Sequence, residues 1–441
     1  MWYNLIITKN PIPTKKRKIT MINYNTLGNS LKRDLYNFSQ KVSKNLSKPD
    51  QKFIANMIYG INSSKSCTIT EIGRSLNEKI TPKKTFERLY RNLKNFSNID
   101  VLMENYKNVI KKSIGSNAML ILDPSDITKK CSEKMENIGI VKDGSTGKFQ
   151  NGYWTMGIVA LSENQYQPLP VYNKVYPCVK MGGVGTKTEV QLALKYLSEN
   201  FDKNIPRIMD RGLDSGDYML YFDKNDEKFI LRVSQTKRVV IHNNKKCNIE
   251  SVANDLVCSH VIKYKNKHGN NLDCHIGTTD IVFPNVKDLK LKLVVCKGYG
   301  KPLLLLTNLE ETVEELAVRV VKAYLMRWRI DEFYGFKKQS LQYEKFRVRS
   351  FNAIQTLDLL LTIATGYIGV LCDKLDETII VNQLILVSKR NKNINKFLLK
   401  TKFLFYAILD GISAIFSRLN TGIASLFSIS RRDPQLCFPR C

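Results

Sequence analysis

Two short apolar runs constrain this chain more than any other feature: "AMLILD" at 118–123 and "IPRIMD" at 205–210, each ending in an aspartate. Runs this short, bounded by turn residues, predict buried strands, because a helix needs a longer segment with a 3.6-residue period. Between them lie Gly-rich turns separating strand-like stretches such as "GKFQNGYWTMGIVAL", then the amphipathic helix "TKTEVQLALKYLSEN". After the second aspartate, "KFILRVSQ", "RVVIH", "HVIKYK", "DIVFP" and "LKLVVCKGYGKPLLLLTN" read as further strands, with little helix until about Thr312. The expectation is an α/β core interrupted by a strand-rich insertion.

Helical periodicity dominates both ends. The reading divides the chain into a helical region (22–115), a strand-rich core (116–345, insertion about 228–308) and a helical C-terminal region (346–441) that is a candidate for dimerisation. Within "TITEIGRSLNEKITPKKTFERLYRNLKNF" two short helices are expected. Thr70 is placed as the cap of the first, while Thr81 with Pro82 opens the second, since proline suits a first helical turn. Arg88, Arg91 and Lys94 follow one another along that second helix at spacings of three, which suggests a helix-turn-helix-like DNA reader. A basic bundle that merely packs on the core is the alternative.

Charge supports a polyanionic partner: 69 Lys and Arg stand against 40 Asp and Glu, a net charge of +29, far beyond what solubility requires. The apolar stretches from Ala353 and Phe403 are interrupted by Asp358 and by Asp410 and Arg418, so they predict buried or interface helices rather than membrane spans. The first twenty residues lack a signal-peptide pattern, their "KKRK" run reads as a solvated or DNA-facing arm, and Met21 offers an alternative start. Ten Cys in no repeating frame suggest reduced thiols in a cytosolic protein; for a bacterial host the expected location is cytoplasmic and nucleoid-associated. The Cys and His residues gathered between 242 and 275 do not show zinc-finger or zinc-ribbon spacing.

One more segment stands out, "YLMRWRIDEFYGFKKQ" at 324–339. Taken as a single helix at about 100° per residue, it places Tyr324, Arg327, Asp331 and Lys338 within an arc of about 60°, whereas Glu332 lies about 100° from Asp331. A salt-bridged surface helix would also look basic and acidic by turns. The two strand-end aspartates, Asp123 and Asp210, change the balance, because a third acid on a cation-lined helix completes a set of three carboxylates. Such a set suits two Mg²⁺ or Mn²⁺ ions, which prefer oxygen ligands and can clamp an in-line phosphoryl displacement. Arg and Lys beside the third acid would hold phosphates close by.

"DRG" after an apolar strand, followed much later by "YLMRWRIDEFYGFKKQ", resembles the catalytic core of bacterial DDE transposases of the insertion sequence four family. Their signature helix carries Tyr, Arg, Glu and Lys at the spacing that Tyr324, Arg327, Asp331 and Lys338 show here. The block beginning "DPSDITKK", the stretch "EIGRSLNEKITPKKTFERLYRNL" and "RVRSFNAIQTL" are similar to further parts of that family, so the resemblance covers most of the chain. It implies a ribonuclease H-like core with a β-strand insertion, an Asp, Asp, Glu metal triad and cut-and-paste DNA transposition by a dimer on double-stranded DNA. Carried over by position, the metal and catalytic residues are Asp123, Asp210 and Asp331, with Tyr324, Arg327 and Lys338 on DNA.

This sequence departs from the family at Asp331, where Glu is expected, and Glu332 beside it is the alternative third ligand. Two functions therefore stand: an active transposase, or a catalytically impaired one that only binds DNA.

Overall fold

The computed structural model describes residues 23–162, 165–265, 271–298, 300–374, 379–388 and 402–429; the "KKRK" run and His268 lie outside them. The chain opens with helices α1 (Tyr24–Val42), α2 (Lys48–Ser64), α3 (Ile69–Ser75), α4 (Pro82–Asn95) and α5 (Ile99–Ile110). Strands β1 (Ala118–Thr128), β2 (Gly139–Lys142), β3 (Phe149–Ser162) and β4 (Gln165–Tyr176) follow. Then come α6 (Thr186–Asn200), β5 (Arg207–Met209), α7 (Gly216–Lys224) and β6 (Phe229–Arg232).

These strands form the core. Strand β1 pairs antiparallel with β3, and β3 antiparallel with β4. On its other side β1 pairs parallel with β5, and β5 parallel with β6. The resulting order β4-β3-β1-β5-β6 is the ribonuclease H-like arrangement, with α6 and α7 supplying the connections that parallel neighbours require. As the central strand, β1 is buried from Ala118 to Leu122 without alternation, because both its faces are covered.

The remaining strands extend the same sheet. They are β7 (Val239–His242), β8 (Lys245–Asn248), β9 (His260–Lys265), β10 (Asn271–Phe283), β11 (Leu289–Lys297) and β12 (Leu303–Thr307), with α8 (Ile249–Asp255) between β8 and β9. Strand β12 pairs antiparallel with β6, so the described strands form one sheet of twelve. Phe229–Arg232, expected at the start of the insertion, is instead the fifth core strand, and the inserted strands begin at β7.

The chain then returns to helix as α9 (Val313–Leu325), α10 (Trp328–Ser340), α11 (Phe351–Asp373), α12 (Ile379–Ser388), α13 (Phe405–Phe416) and α14 (Ala424–Ile429). Helix α11 is long and apolar enough to cross a membrane, but nine-tenths of its most apolar stretch is buried inside this fold. It packs on β4, α2, α4 and α5, while α13 packs on α1 and α2. Tyr59 of α2 stacks on Phe416 of α13 with ring centroids 4.5 Å apart. The apolar C-terminal helices described thus pack on surfaces within the chain.

The charge that interrupts α11 is also accounted for. Asp358 is buried, accepting from Asn173 Nδ2 at 2.6 and 2.7 Å and from the Tyr343 hydroxyl, with Lys337 Nζ at 3.5 Å. This network joins α10, α11 and β4, fixing the helix that carries Asp331.

Candidate active site

The β1–β5 register builds the first half of the site. Leu122 lies opposite Met209 in parallel pairing, and β5 ends there. Asp123 and Asp210 are the next residues of the two strands, so they emerge side by side where β1 loses its neighbour. Asp123 was expected at a strand tip, yet β1 runs on to Thr128, supported by β3 alone. The opening therefore comes from the end of β5.

Helix α10 supplies the other half. The Tyr334 hydroxyl donates to the backbone carbonyl of Asp123 at 2.6 Å, pinning the helix over β1. Opposite Asp123 in the ladder is Gly157, where a Cβ would collide with Tyr334 Oη. Neither Gly157 nor Tyr334 was singled out from the sequence, because the demand for a small residue arises only when strand and helix meet.

The expected single helix over 324–339 is two helices. Met326 and Arg327 form a turn in which Arg327 N bonds to Tyr324 O at 3.0 Å and Ile330 N to Arg327 O at 3.1 Å. These three-residue bonds tighten the backbone beyond α-helical pitch, so a uniform 100° wheel does not describe the segment. Tyr324, Arg327 and Asp331 nevertheless converge. Tyr324 donates to Asp210 Oδ1 at 2.7 Å, and Arg327 Nη2 reaches Asp331 Oδ2 at 3.1 Å and Asp210 Oδ2 at 3.9 Å. Arg327 Nη1 lies 3.9 Å from Asp123 Oδ2. One guanidinium thus stands among three carboxylates.

Other expected contacts are arranged differently. Tyr324, expected on DNA, is buried, and its hydroxyl donates to Asp210. Lys338 pairs with Asp126 at 2.9 Å and Glu344 at 3.3 Å, at the far wall of the cleft, where Asp126 also accepts from Gly144 N. Glu332 pairs with Arg329 and does not join the carboxylates around Arg327. Trp328, expected in the core, has 42% of its surface exposed and lines a cavity of about 1020 Å³ with Asp123, Asp331 and Trp154.

In the N-terminal region α3 is preceded by Thr68, with Thr70 already in its first turn, while Thr81 and Pro82 open α4 as expected. Arg88 is committed to both oxygens of Glu78 at 2.8 Å, an acid that also accepts from Thr85; Arg91 and Lys94 are exposed. The anticipated basic stripe on α4 is therefore shorter by one residue.

Electrostatics tie the three acids into one unit. Burial, then the Asp331 charge, push the Asp123 carboxyl up to about 8, with Arg327 opposing and Asp210 adding to the rise. Asp331 is also raised, by burial, partly offset by Arg327. Burial acts in the same sense on Asp210, but Arg327, the Tyr324 hydroxyl and the Arg211 backbone N–H outweigh it and hold this acid below its ordinary value. Arg327 is raised because the three acids outweigh its own desolvation.

Three carboxylates sharing one cation fit a hard divalent metal in donor type and in charge. Their spacing is another matter: among the described residues no group of three or more His, Cys, Asp or Glu stands close enough to hold a metal as a unit. The acids are spread around a guanidinium.

No protein-family model matches the chain, and no curated protein matches it. Among solved structures, a piggyBac transposase synaptic complex with hairpin DNA aligns at 13% identity over 96% of this chain and 77% of that one, with a TM-score of 0.40. A likeness that loose carries no functional inference.

Proposed function

We propose that this protein is a DDE-type DNA transposase that cleaves and joins strands at the ends of a mobile element, as the resemblance to the insertion sequence four family implies. The observation that carries the reading is the convergence of Asp123, Asp210 and Asp331, from two adjacent strands and a later helix, on Arg327. A surface ion-pair network would not draw three acids onto one partly buried guanidinium, given the desolvation this costs.

Asp123, Asp210 and Asp331 would hold two Mg²⁺ or Mn²⁺ ions, which polarise phosphoryl oxygens and activate water for in-line attack. Asp331, not Glu332, is the third ligand on this reading, because Glu332 is engaged by Arg329. Tyr324 fixes the Asp210 carboxylate through its hydroxyl, and Arg327 is the group best placed to meet a phosphate. The net charge of +29 supports double-stranded DNA as the partner, with exposed Arg91 and Lys94 on α4 as contacts away from the cleft. Assembly as a dimer on paired element ends rests on the resemblance alone.

A second reading is a DNA-binding protein without catalysis. It is favoured by the Asp at 331, one methylene shorter than the family's Glu, and by the spread of the carboxylates. Labelled duplexes carrying the terminal repeats that flank the gene, incubated with Mg²⁺ or Mn²⁺, separate the two. Cleavage by the parent, lost in Asp331→Ala, supports the transposase. Binding without cleavage, with cleavage gained in Asp331→Glu, supports the impaired protein.

A further inference from the structure

We propose that Arg327 is an exchangeable internal counter-ion, competing with divalent cations for the carboxylates of Asp123, Asp210 and Asp331. The inference rests on the metal-site reading above and adds that the protein carries its own competitor for that site. Arg327 is held by no single strong pair: it has one contact at 3.1 Å and two at 3.9 Å, reaching all three acids. A side chain that only braced the fold would be expected to close on one acid, as Arg88 Nη2 does on both oxygens of Glu78 at 2.8 Å.

Its position in the chain suits exchange. Arg327 lies in the turn between α9 and α10, and its side chain keeps 13% of its surface accessible. Trp328, next to it, already faces the cavity that Asp123 and Asp331 also line. A divalent ion concentrates more charge than a guanidinium, so it draws carboxylates together that the guanidinium holds apart. Once displaced, Arg327 is free to engage a phosphate oxygen, which couples metal loading to the grip on DNA.

The test is Mn²⁺ binding to the full-length protein without DNA, followed by electron paramagnetic resonance of the free ion. Parent, Arg327→Ala and Arg327→Gln are compared, with thermal melts of the same samples. Removing the competitor should tighten Mn²⁺ binding roughly tenfold in both variants. The variants should melt below the parent without metal and gain more in melting temperature from saturating Mn²⁺. Agreement between Gln and Ala guards against misfolding of either one.

Equal or weaker Mn²⁺ binding in folded variants overturns the exchange and leaves the metal site standing. No binding by any of the three proteins overturns the metal-site reading and the exchange together. Tighter binding in the variants, with no strand cleavage by the parent, supports the exchange while counting against catalysis.

Discussion

Asp123 and Asp210 stand side by side because Leu122 and Met209 pair in parallel register and β5 ends at Met209. Two strands distant in sequence thereby place their acids on one sheet face at one height. Burial alone would make such a pair costly, and Arg327 offsets that cost.

On the proposed transposase reading, loss of either acid should end strand cleavage without ending DNA binding. In Asp123→Ala and Asp210→Ala, gel-shift affinity for element-end DNA should stay within about threefold of the parent, while cleavage falls at least roughly a thousandfold. Loss of binding in step with cleavage would point to a DNA-holding role for these acids.

The pH response follows from Asp123. Its carboxyl titrates near 8 in the folded protein against 3.8 ordinarily, so between these values the folded state binds more protons than the unfolded one. In buffer without divalent metal, the contribution of Asp123 to stability should therefore fall as pH rises from about 4 to about 8. Denaturant melts of Asp123→Asn should show a shallower fall over the same range, and an unchanged slope would contradict the shift.

Gly157→Ala tests the seat of α10. The added methyl meets Tyr334 Oη and threatens its bond to the Asp123 carbonyl. A cost of about 1–3 kcal/mol is expected by chemical denaturation. Adding Tyr334→Phe, which removes the hydroxyl that the methyl meets, should recover part of it.

Beneath the site, Lys337→Ala should destabilise the fold by about 3–5 kcal/mol, since it leaves Asp358 buried without its cation. Pairing Lys337→Met with Asp358→Leu should cost less than the sum of the two single changes, as measured by a double-mutant cycle. Strict additivity would show that the pair does not interact.

Residue pattern alone carried much of the architecture. Apolar runs at 118–123 and 205–210 foretold two core strands, and the charge pattern of 324–339 singled out Tyr324, Arg327 and Asp331 before their contacts were visible. Less legible were the turn at Met326–Arg327, the placing of Phe229–Arg232 in the core and the engagement of Lys338 with Asp126. A helical wheel presumes uniform pitch, strand propensity does not name the partner strand, and a salt bridge over long sequence separation leaves no periodic trace.

What the residue pattern carried was local: most of the strand and helix segments, where acids follow apolar runs, and that the chain is strongly basic. These follow from side-chain period and composition. What the tertiary structure decided was mutual position. The β1–β5 register set Asp123 beside Asp210, the Gly157 and Tyr334 contact set the seat of α10, and the shared carboxylates set Arg327 among them. The reason is physical: register, steric fit and the cost of burying charge are properties of pairs of segments, and no single segment encodes them.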